Sequence, residues 1–241
     1  VLNDVSHTMY SGKANLIIGT SGSGKTVLQK CLVGLFEPDE GEIIYDSISF
    51  TEMNEEKRKL LRQEIGMLFQ GSALFDSMTV EDNVKFPLDM FTKDSESKKI
   101  KRVNEVLERV NLVGSNKKYP SEISGGMKKR VGIARAIVLN PKYLFCDEPN
   151  SGLDPKTSIV IDNLIREITE EYQITTIVNT HDMNSVMEIG DNILFIYKGE
   201  KKWQGTNEEI FFSDNKELND FIFASDFLKE VRDIKRKEAK H

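Results

Sequence analysis

The 241-residue chain predicts an α/β fold, a doubly wound parallel sheet interrupted by a helical lobe. Short, mostly apolar runs at Leu16 to Ile18, Ile65 to Phe69, Tyr143 to Cys146, Ile174 to Val178 and Ile193 to Tyr197 alternate with helically spaced segments. Runs of this kind suit strands covered on both faces, as parallel sheets require. Between Gln70 and Leu139 no comparable run occurs. There Val103, Val106, Leu107 and Val110 instead follow the i, i+3, i+4, i+7 spacing of one helical stripe. A glycine-rich loop after the first strand and before a helix completes the α/β pattern.

Residues 1–70 and 140–205 are assigned to the sheet core, 71–139 to the helical lobe and 206–241 to a helical C-terminal extension, all in one domain. The first strand, Leu16 to Ile18, feeds the glycine loop and a helix over Lys25 to Leu35. The strand Ile65 to Phe69 ends at Gln70. Within the lobe, Asp94 to Lys101 reads as an exposed loop and helix start. Ser124 is a natural N-cap for a helix running through Lys128 to Val138. Pro149 ends the strand over Tyr143 to Cys146, because proline cannot continue a central strand. The last helix, Phe227 to His241, carries Lys229, Arg232, Lys235, Arg236, Lys237 and Lys240. It reads either as a fraying, solvated end or as a tail that docks on a neighbouring subunit or an anionic surface.

Composition narrows the classes. Hydrophobic residues make up 39% and charged residues 30% of the chain, as in globular proteins. The net charge of −6 argues against a dedicated nucleic-acid binder, which needs a basic face for phosphates. Cys31 and Cys146 read as small core residues of a protein in a reducing compartment. The apolar runs are too short for a bilayer, which needs about 20 residues, and no signal peptide pattern is visible. His7 and His241 read as structural.

Gly19-Thr20-Ser21-Gly22-Ser23-Gly24-Lys25-Thr26 is a phosphate cradle. Its glycines let successive N–H groups face one anion, and the following helix adds its positive N-terminus. Lys25 is placed to neutralise the outer phosphates and Thr26 to hold Mg²⁺. Asp147 and Glu148 follow an apolar strand. Both reach one site only if Glu148 sits just past the strand end, since neighbouring strand side chains point to opposite faces. Asp147 is then the metal-side carboxylate and Glu148 the group that polarises the attacking water. His181 follows a strand at the carboxyl edge, where ligands of open α/β sheets gather. Gln70 offers a neutral oxygen to Mg²⁺ or water. Ser124, Gly125 and Gly126 open a second helix with free N–H groups, an anion site that one triphosphate does not need. It suggests a chain that completes the active site of another.

Taken together these residues resemble the ATP-binding cassette (ABC) ATPases, in matching order throughout. Walker A lies at 19 to 26, the Q-loop at Gln70, the signature at 123 to 127 and Walker B at its end in Asp147-Glu148. The D-loop follows at Ser151 to Asp154 and the switch residue at His181. The resemblance implies a P-loop NTPase (RecA-like) parallel-sheet core with an N-terminal β-rich portion and an inserted helical subdomain. It also implies ATP and Mg²⁺ as cofactors and an ATP-dependent, head-to-tail homodimer. ATP is then held between the Walker A of one copy and Ser124, Gly125 and Gly126 of the other. Two departures stand out. Met127 occupies the place of the family's common Gln, and the aromatic residue that stacks adenine is expected just upstream of Val1-Leu2. Tyr10 lies too close to the phosphate loop to replace it.

A narrower similarity covers Phe69-Gln70-Gly71-Ser72-Ala73-Leu74-Phe75-Asp76-Ser77-Met78-Thr79-Val80 and Ser124 to Arg130. Both look like the ATPase subunits of bacterial Mla/Mce-type phospholipid transporters, Met127 included. This implies ATP hydrolysis that powers lipid transport through an integral membrane permease, with further lipid-transport subunits and no nucleic acid. The location implied is the cytoplasmic face of the inner membrane, reached through a partner. The competing class is a soluble ABC-type clamp acting on nucleic acid or ribosomes, which commonly has two cassettes or a long coiled-coil insert. A scaffold without turnover would usually have lost Lys25, Glu148 or His181. Leu74, Phe75 and Met78, directly after Gln70, form either a docking surface for the permease or part of the packing under the helical lobe.

Overall fold

The computed structural model describes residues 1–239. In chain order its elements are β1 (Ala14–Ile18), α1 (Lys25–Leu32), β2 (Ile44–Tyr45), β3 (Ile48–Ser49), α2 (Glu55–Gln63), β4 (Ile65–Leu68), α3 (Val80–Phe91), α4 (Glu96–Arg109), α5 (Gly125–Ile137), β5 (Tyr143–Asp147), α6 (Pro155–Tyr172), β6 (Thr175–Thr180), α7 (Met183–Ile189), β7 (Asn192–Tyr197), β8 (Glu200–Gly205), α8 (Lys216–Ile222) and α9 (Asp226–Glu238). Six strands form one sheet in the order β4-β5-β6-β1-β7-β8, parallel except for the antiparallel edge strand β8.

All five expected strands are present, and their registers explain why they read as apolar runs. Leu16, Ile17 and Ile18 of β1, Leu144 and Phe145 of β5, and Ile193 to Ile196 of β7 are almost completely buried, with helices or loops over both faces of the sheet. Two apolar clusters result. One lies beneath the helical lobe, α6 and α7; the other joins Ile17, Phe145 and Ile177 to Tyr45 and Phe50 on the opposite face. Burying each such side chain stabilises the fold by about 1.5–3 kcal/mol.

Between β4 and β5 the only regular elements are α3, α4, α5 and a 3₁₀ turn over Pro120–Glu122. The stripe Val103, Val106, Leu107 and Val110 is buried as the spacing predicts. Thr79 caps α3 in a reciprocal capping box with Asp82. On α4, Arg102 reaches the Ile137 and Val138 carbonyls at the end of α5, at 3.1 and 3.0 Å. The lobe is therefore tied to the chain as it re-enters the sheet.

The C-terminal segment departs from a fraying end. Arg236 of α9 donates to the Phe211 and Ser213 carbonyls, each at 2.7 Å, and Arg232 stacks over Phe223 at 5.1 Å. Arg236 thus ties α9 to a 3₁₀ turn over Glu209–Phe212, and Arg232 ties it to the end of α8. Lys240 and His241 lie outside the described residues.

Candidate functional site

Four neighbouring parallel strands end level with one another, and each delivers one part of the expected site. The register pairs Leu68 with Cys146, Asp147 with Asn179, and Ile18 with Thr180. Gln70 follows β4, Asp147 and Glu148 end β5, His181 follows β6, and the 19–26 loop follows β1. The sheet thus gathers, at its carboxyl edge, residues that are as much as 162 positions apart in sequence, from Gly19 to His181.

The 19–26 loop has the backbone an anion cradle requires. Gly19 has φ 151° and an ideal Cβ there would fall 2.2 Å from the Ile196 carbonyl, so no side chain fits. Gly24, at φ 111°, caps α1, and a Cβ at that position would press on Leu2 at 2.7 Å. Thr20, Ser21 and Gly22 form the exposed rim, while Ser23 and Lys25 are buried. Lys25 Nζ donates to the Gly19 and Thr20 carbonyls at 2.8 and 3.1 Å. Burial lowers its pKa, and the charges of Glu148 and Asp147 oppose that shift. Ser23 Oγ is buried without a hydrogen-bond partner. An orphan hydroxyl and an ammonium satisfied only by loop carbonyls fit a phosphate chain. Thr26, the second residue of α1, is exposed.

Asp147 is the last residue of β5, and Glu148 lies just beyond the strand with φ 47°. That turn meets the condition under which both carboxylates address one site. The Glu148 N–H donates to the Asn179 carbonyl at 2.9 Å. Its carboxylate oxygens lie 2.9 and 2.8 Å from His181 Nδ1. Asn179 also donates to Asp147 Oδ1 at 3.3 Å and to Gln29. Gln70 Nε2 reaches Ser151 Oγ at 3.3 Å, which leaves the amide oxygen available.

Among the described residues no cluster of three or more His, Cys, Asp and Glu side chains could hold a metal ion. Thr26, Asp147 and Gln70 nevertheless suit Mg²⁺, which keeps several waters and takes substrate phosphates rather than a full protein cage.

Ser124, Gly125 and Gly126 stand apart from this cluster. Ser124 is the N-cap of α5 and accepts from the Met127 N–H at 3.3 Å. Ser124 and Gly125 are exposed and Gly126 is buried. Met127, at the place of the family's Gln, packs its side chain against the core instead of facing outward. Tyr10 lines a cleft with Ser11, Lys13 and Asp191 at the amino end of the sheet, opposite the phosphate loop.

Leu74 and Phe75 divide the two readings of their segment. Leu74 is half-buried and packs on the main core, whereas Phe75 is 40% exposed with its ring 4.9 Å from Phe86. Asn83 holds this loop, accepting from the Phe75 N–H at 2.8 Å and donating to the Phe75 and Met78 carbonyls at 3.1 and 3.2 Å.

Several residues around the site have no role assigned by the sequence. Lys129 of α5 is 4% exposed and donates to the carbonyls of Gln70 and Glu148. Asn150 donates to Asp162 and Ser185, both at 2.9 Å, and Ser185 donates to Asp162 at 2.8 Å. This buried triad joins the turn after Glu148 to α6 and α7. Burial pushes the Asp162 carboxyl up to about 6.

Known proteins share this chain's sequence and fold. Residues 2–151 match the family model described as ABC transporter. The probable ribonucleotide transport ATP-binding protein mkl of Mycobacterium tuberculosis is 39% identical over 222 residues, 92% of this chain and 62% of that protein. The methionine import ATP-binding protein MetN of Carboxydothermus hydrogenoformans is 40% identical over 234 residues, 95% of this chain and 69% of that protein. The chain thus spans about three-fifths of the length of the mkl relatives. Among solved structures, a dimeric ATP-binding cassette in a post-hydrolysis state bound to ADP and Pi superposes with a TM-score of 0.77 at 31% identity, covering 86% of this chain and 90% of that one. The cbiO1 protein of Clostridium perfringens, part of the ABC transporter complex cbiONQ, gives a TM-score of 0.82 at 32% identity over 90% and 87% of the two chains. By sequence, fold and motif order, the chain belongs to the ABC transporter family, as an ATP-binding domain.

Proposed function

We propose that this chain is the ATP-hydrolysing subunit of a transporter that moves a phospholipid or a related lipid through a separate membrane permease. It works as an ATP-dependent homodimer whose nucleotide sites are shared. The observation that carries the hydrolytic reading is the contact of His181 with Glu148, at 2.8 Å, on the sheet edge that also presents Asp147 and Lys25. The 19–26 N–H groups and Lys25 hold the phosphates of ATP. Thr26, Asp147 and Gln70 would hold Mg²⁺, which when bound would supply positive charge against the phosphate oxygens. Glu148 orients a water and takes its proton, and His181, at the exposed rim of the site, fixes the carboxylate through Nδ1.

The shared site rests on the exposed N-terminus of α5 at Ser124 and Gly125, which makes no hydrogen bond to the 19–26 loop of its own chain. A Ser124 end facing the loop of a second copy closes both sites at once. Among the described residues no helix is long and apolar enough to cross a membrane. The family resemblance supports placing the chain at the cytoplasmic face of the membrane, held there by the permease.

The lipid reading is supported by residues 69–80 and 124–130, which resemble the phospholipid-transporter ATPases. The relatives' names favour a second reading, in which the cargo is a ribonucleotide or methionine. Two measurements test the proposal. Purified protein with ATP and Mg²⁺ should release phosphate and Glu148→Gln should not; equal rates overturn the hydrolytic assignment. The complex isolated from native membranes should carry a permease and co-purifying lipid; a permease with bound methionine or nucleotide and no lipid overturns the cargo.

A further inference from the structure

Helix α5 begins at the exposed cap Ser124 and, five residues later, buries an ammonium group. Lys129 Nζ donates to the Gln70 carbonyl and, at 3.3 Å, to the Glu148 carbonyl. Six residues further on, Arg135 donates to the Ser72 and Ala73 carbonyls at 2.6 and 2.7 Å. A buried cation is costly unless backbone dipoles or charges replace its water shell, and here carbonyls do so.

The segments these cations hold need holding. Ser72, Ala73 and Glu148 have φ of 62°, 46° and 47°, a left-handed region unfavourable for any residue with a Cβ and kept only where the surroundings impose it. At Glu148 the N–H is fixed by the Asn179 carbonyl and the C=O by Lys129. Both ends of the residue are therefore tethered, and the carboxylate is aimed by its backbone. The two carbonyls on Lys129 come from different loops, one after β4 and one after β5. A lysine suits this task because three N–H bonds radiate from a single atom at the end of a long stem.

We propose that Lys129 is a positioning residue for hydrolysis, linking Gln70 and Glu148 to each other and to the helix that starts at Ser124. A contact made at Ser124 is then felt at the water-handling carboxylate through one rigid helix and one ammonium. This inference rests on the hydrolytic reading above.

The test compares Lys129→Met, Lys129→Gln and Lys129→Arg with the wild-type protein and with Glu148→Gln. Phosphate release, binding of a fluorescent ATP analogue and thermal unfolding are measured on the same preparations. Lys129→Met should lower kcat by about 10- to 100-fold while leaving analogue binding nearly unchanged, the signature of lost positioning. Lys129→Arg should recover most of the rate. Lys129→Gln, neutral and too short to span both carbonyls, should fall between and serves in place of Lys129→Met if that variant does not fold. An active wild type, an inactive Glu148→Gln and a folded Lys129→Met or Lys129→Gln with wild-type kcat would overturn this proposal alone. A wild type that releases no phosphate, alone or in the native complex, would overturn the hydrolytic reading beneath it.

Discussion

His181 Nδ1 sits within hydrogen-bond distance of both oxygens of Glu148, at 2.9 and 2.8 Å, across the ends of two adjacent strands. The imidazole is largely exposed while the carboxylate is mostly covered, so the pair has an inner member and an outer one. An outer group of this kind positions the inner one and can meet substrate. His181→Ala should therefore keep nucleotide binding and lower kcat about a hundredfold, within the range for a group that handles or orients a proton. Phosphate release at saturating ATP checks it, and a rate within a few-fold of wild type would remove His181 from the site.

Sharing of the site between copies gives a complementation test. Lys25→Ala disables the cradle and Ser124→Arg blocks the opposite helix end, so each homodimer should be inactive. Mixed in equal amounts they should form dimers with one doubly damaged site and one intact site. Recovered phosphate release on mixing is the expected result. Full activity of Ser124→Arg by itself would refute the shared arrangement.

Leu74 and Phe75 predict opposite behaviour from adjacent positions. Leu74 packs half-buried on the core, so Leu74→Asp loses part of the about 1.5–3 kcal/mol that full burial of a leucine is worth and places a carboxylate against apolar surface, lowering Tm by several degrees. Phe75 is the more exposed of the two, so Phe75→Asp should lower Tm less than Leu74→Asp while releasing the protein from membranes. Thermal unfolding and membrane sedimentation of both variants decide it. Membrane association that survives Phe75→Asp would rule out this loop as the docking point.

Asp162 predicts a pH dependence of stability. Its carboxyl is raised from 3.8 to about 6 by burial, so between those values the folded state holds a proton that the unfolded chain has released. Raising the pH through that window erodes stability, by at most about 3 kcal/mol. The wild type should thus lose ground to Asp162→Asn between pH 4 and pH 6.5. Unfolding midpoints of the two proteins across that range measure it; a constant difference would show that Asp162 does not titrate there.

The site's strand-and-loop frame was legible because each buried parallel strand is a short apolar run followed at once by a residue of distinctive chemistry. The edge strand β8 was not legible. Glu200-Lys201-Lys202-Trp203-Gln204-Gly205 is polar, as an antiparallel edge exposed on one side permits. The β2-β3 hairpin turns through Asp46 and Ser47, both with positive φ, without the Asn-Gly pair that signals such a turn. Lys129 was hidden for another reason: in Lys128-Lys129-Arg130 it looks like one more solvated charge. Only the course of α5 across the ends of β4 and β5 reveals that the middle member of that run points inward. Likewise, Leu74 and Phe75 are equally apolar in sequence, and the backbone alone sorts them.

The level ending of β4, β5, β6 and β1 ties ligand recognition to completion of the sheet. Residues 19–26, 70, 147–148 and 181 lie on segments separated by long stretches of chain, and the full set comes together only when all four strands are paired. Local folding of any one segment leaves the nucleotide with only a fragment of its site. Nucleotide therefore discriminates sharply between the finished domain and every partly formed one, and binding energy is returned to the whole sheet as resistance to unfolding. Protection from proteolysis by ATP would then report the integrity of the domain from its first strand to the sixth in sequence, β6, long before any transport could be observed.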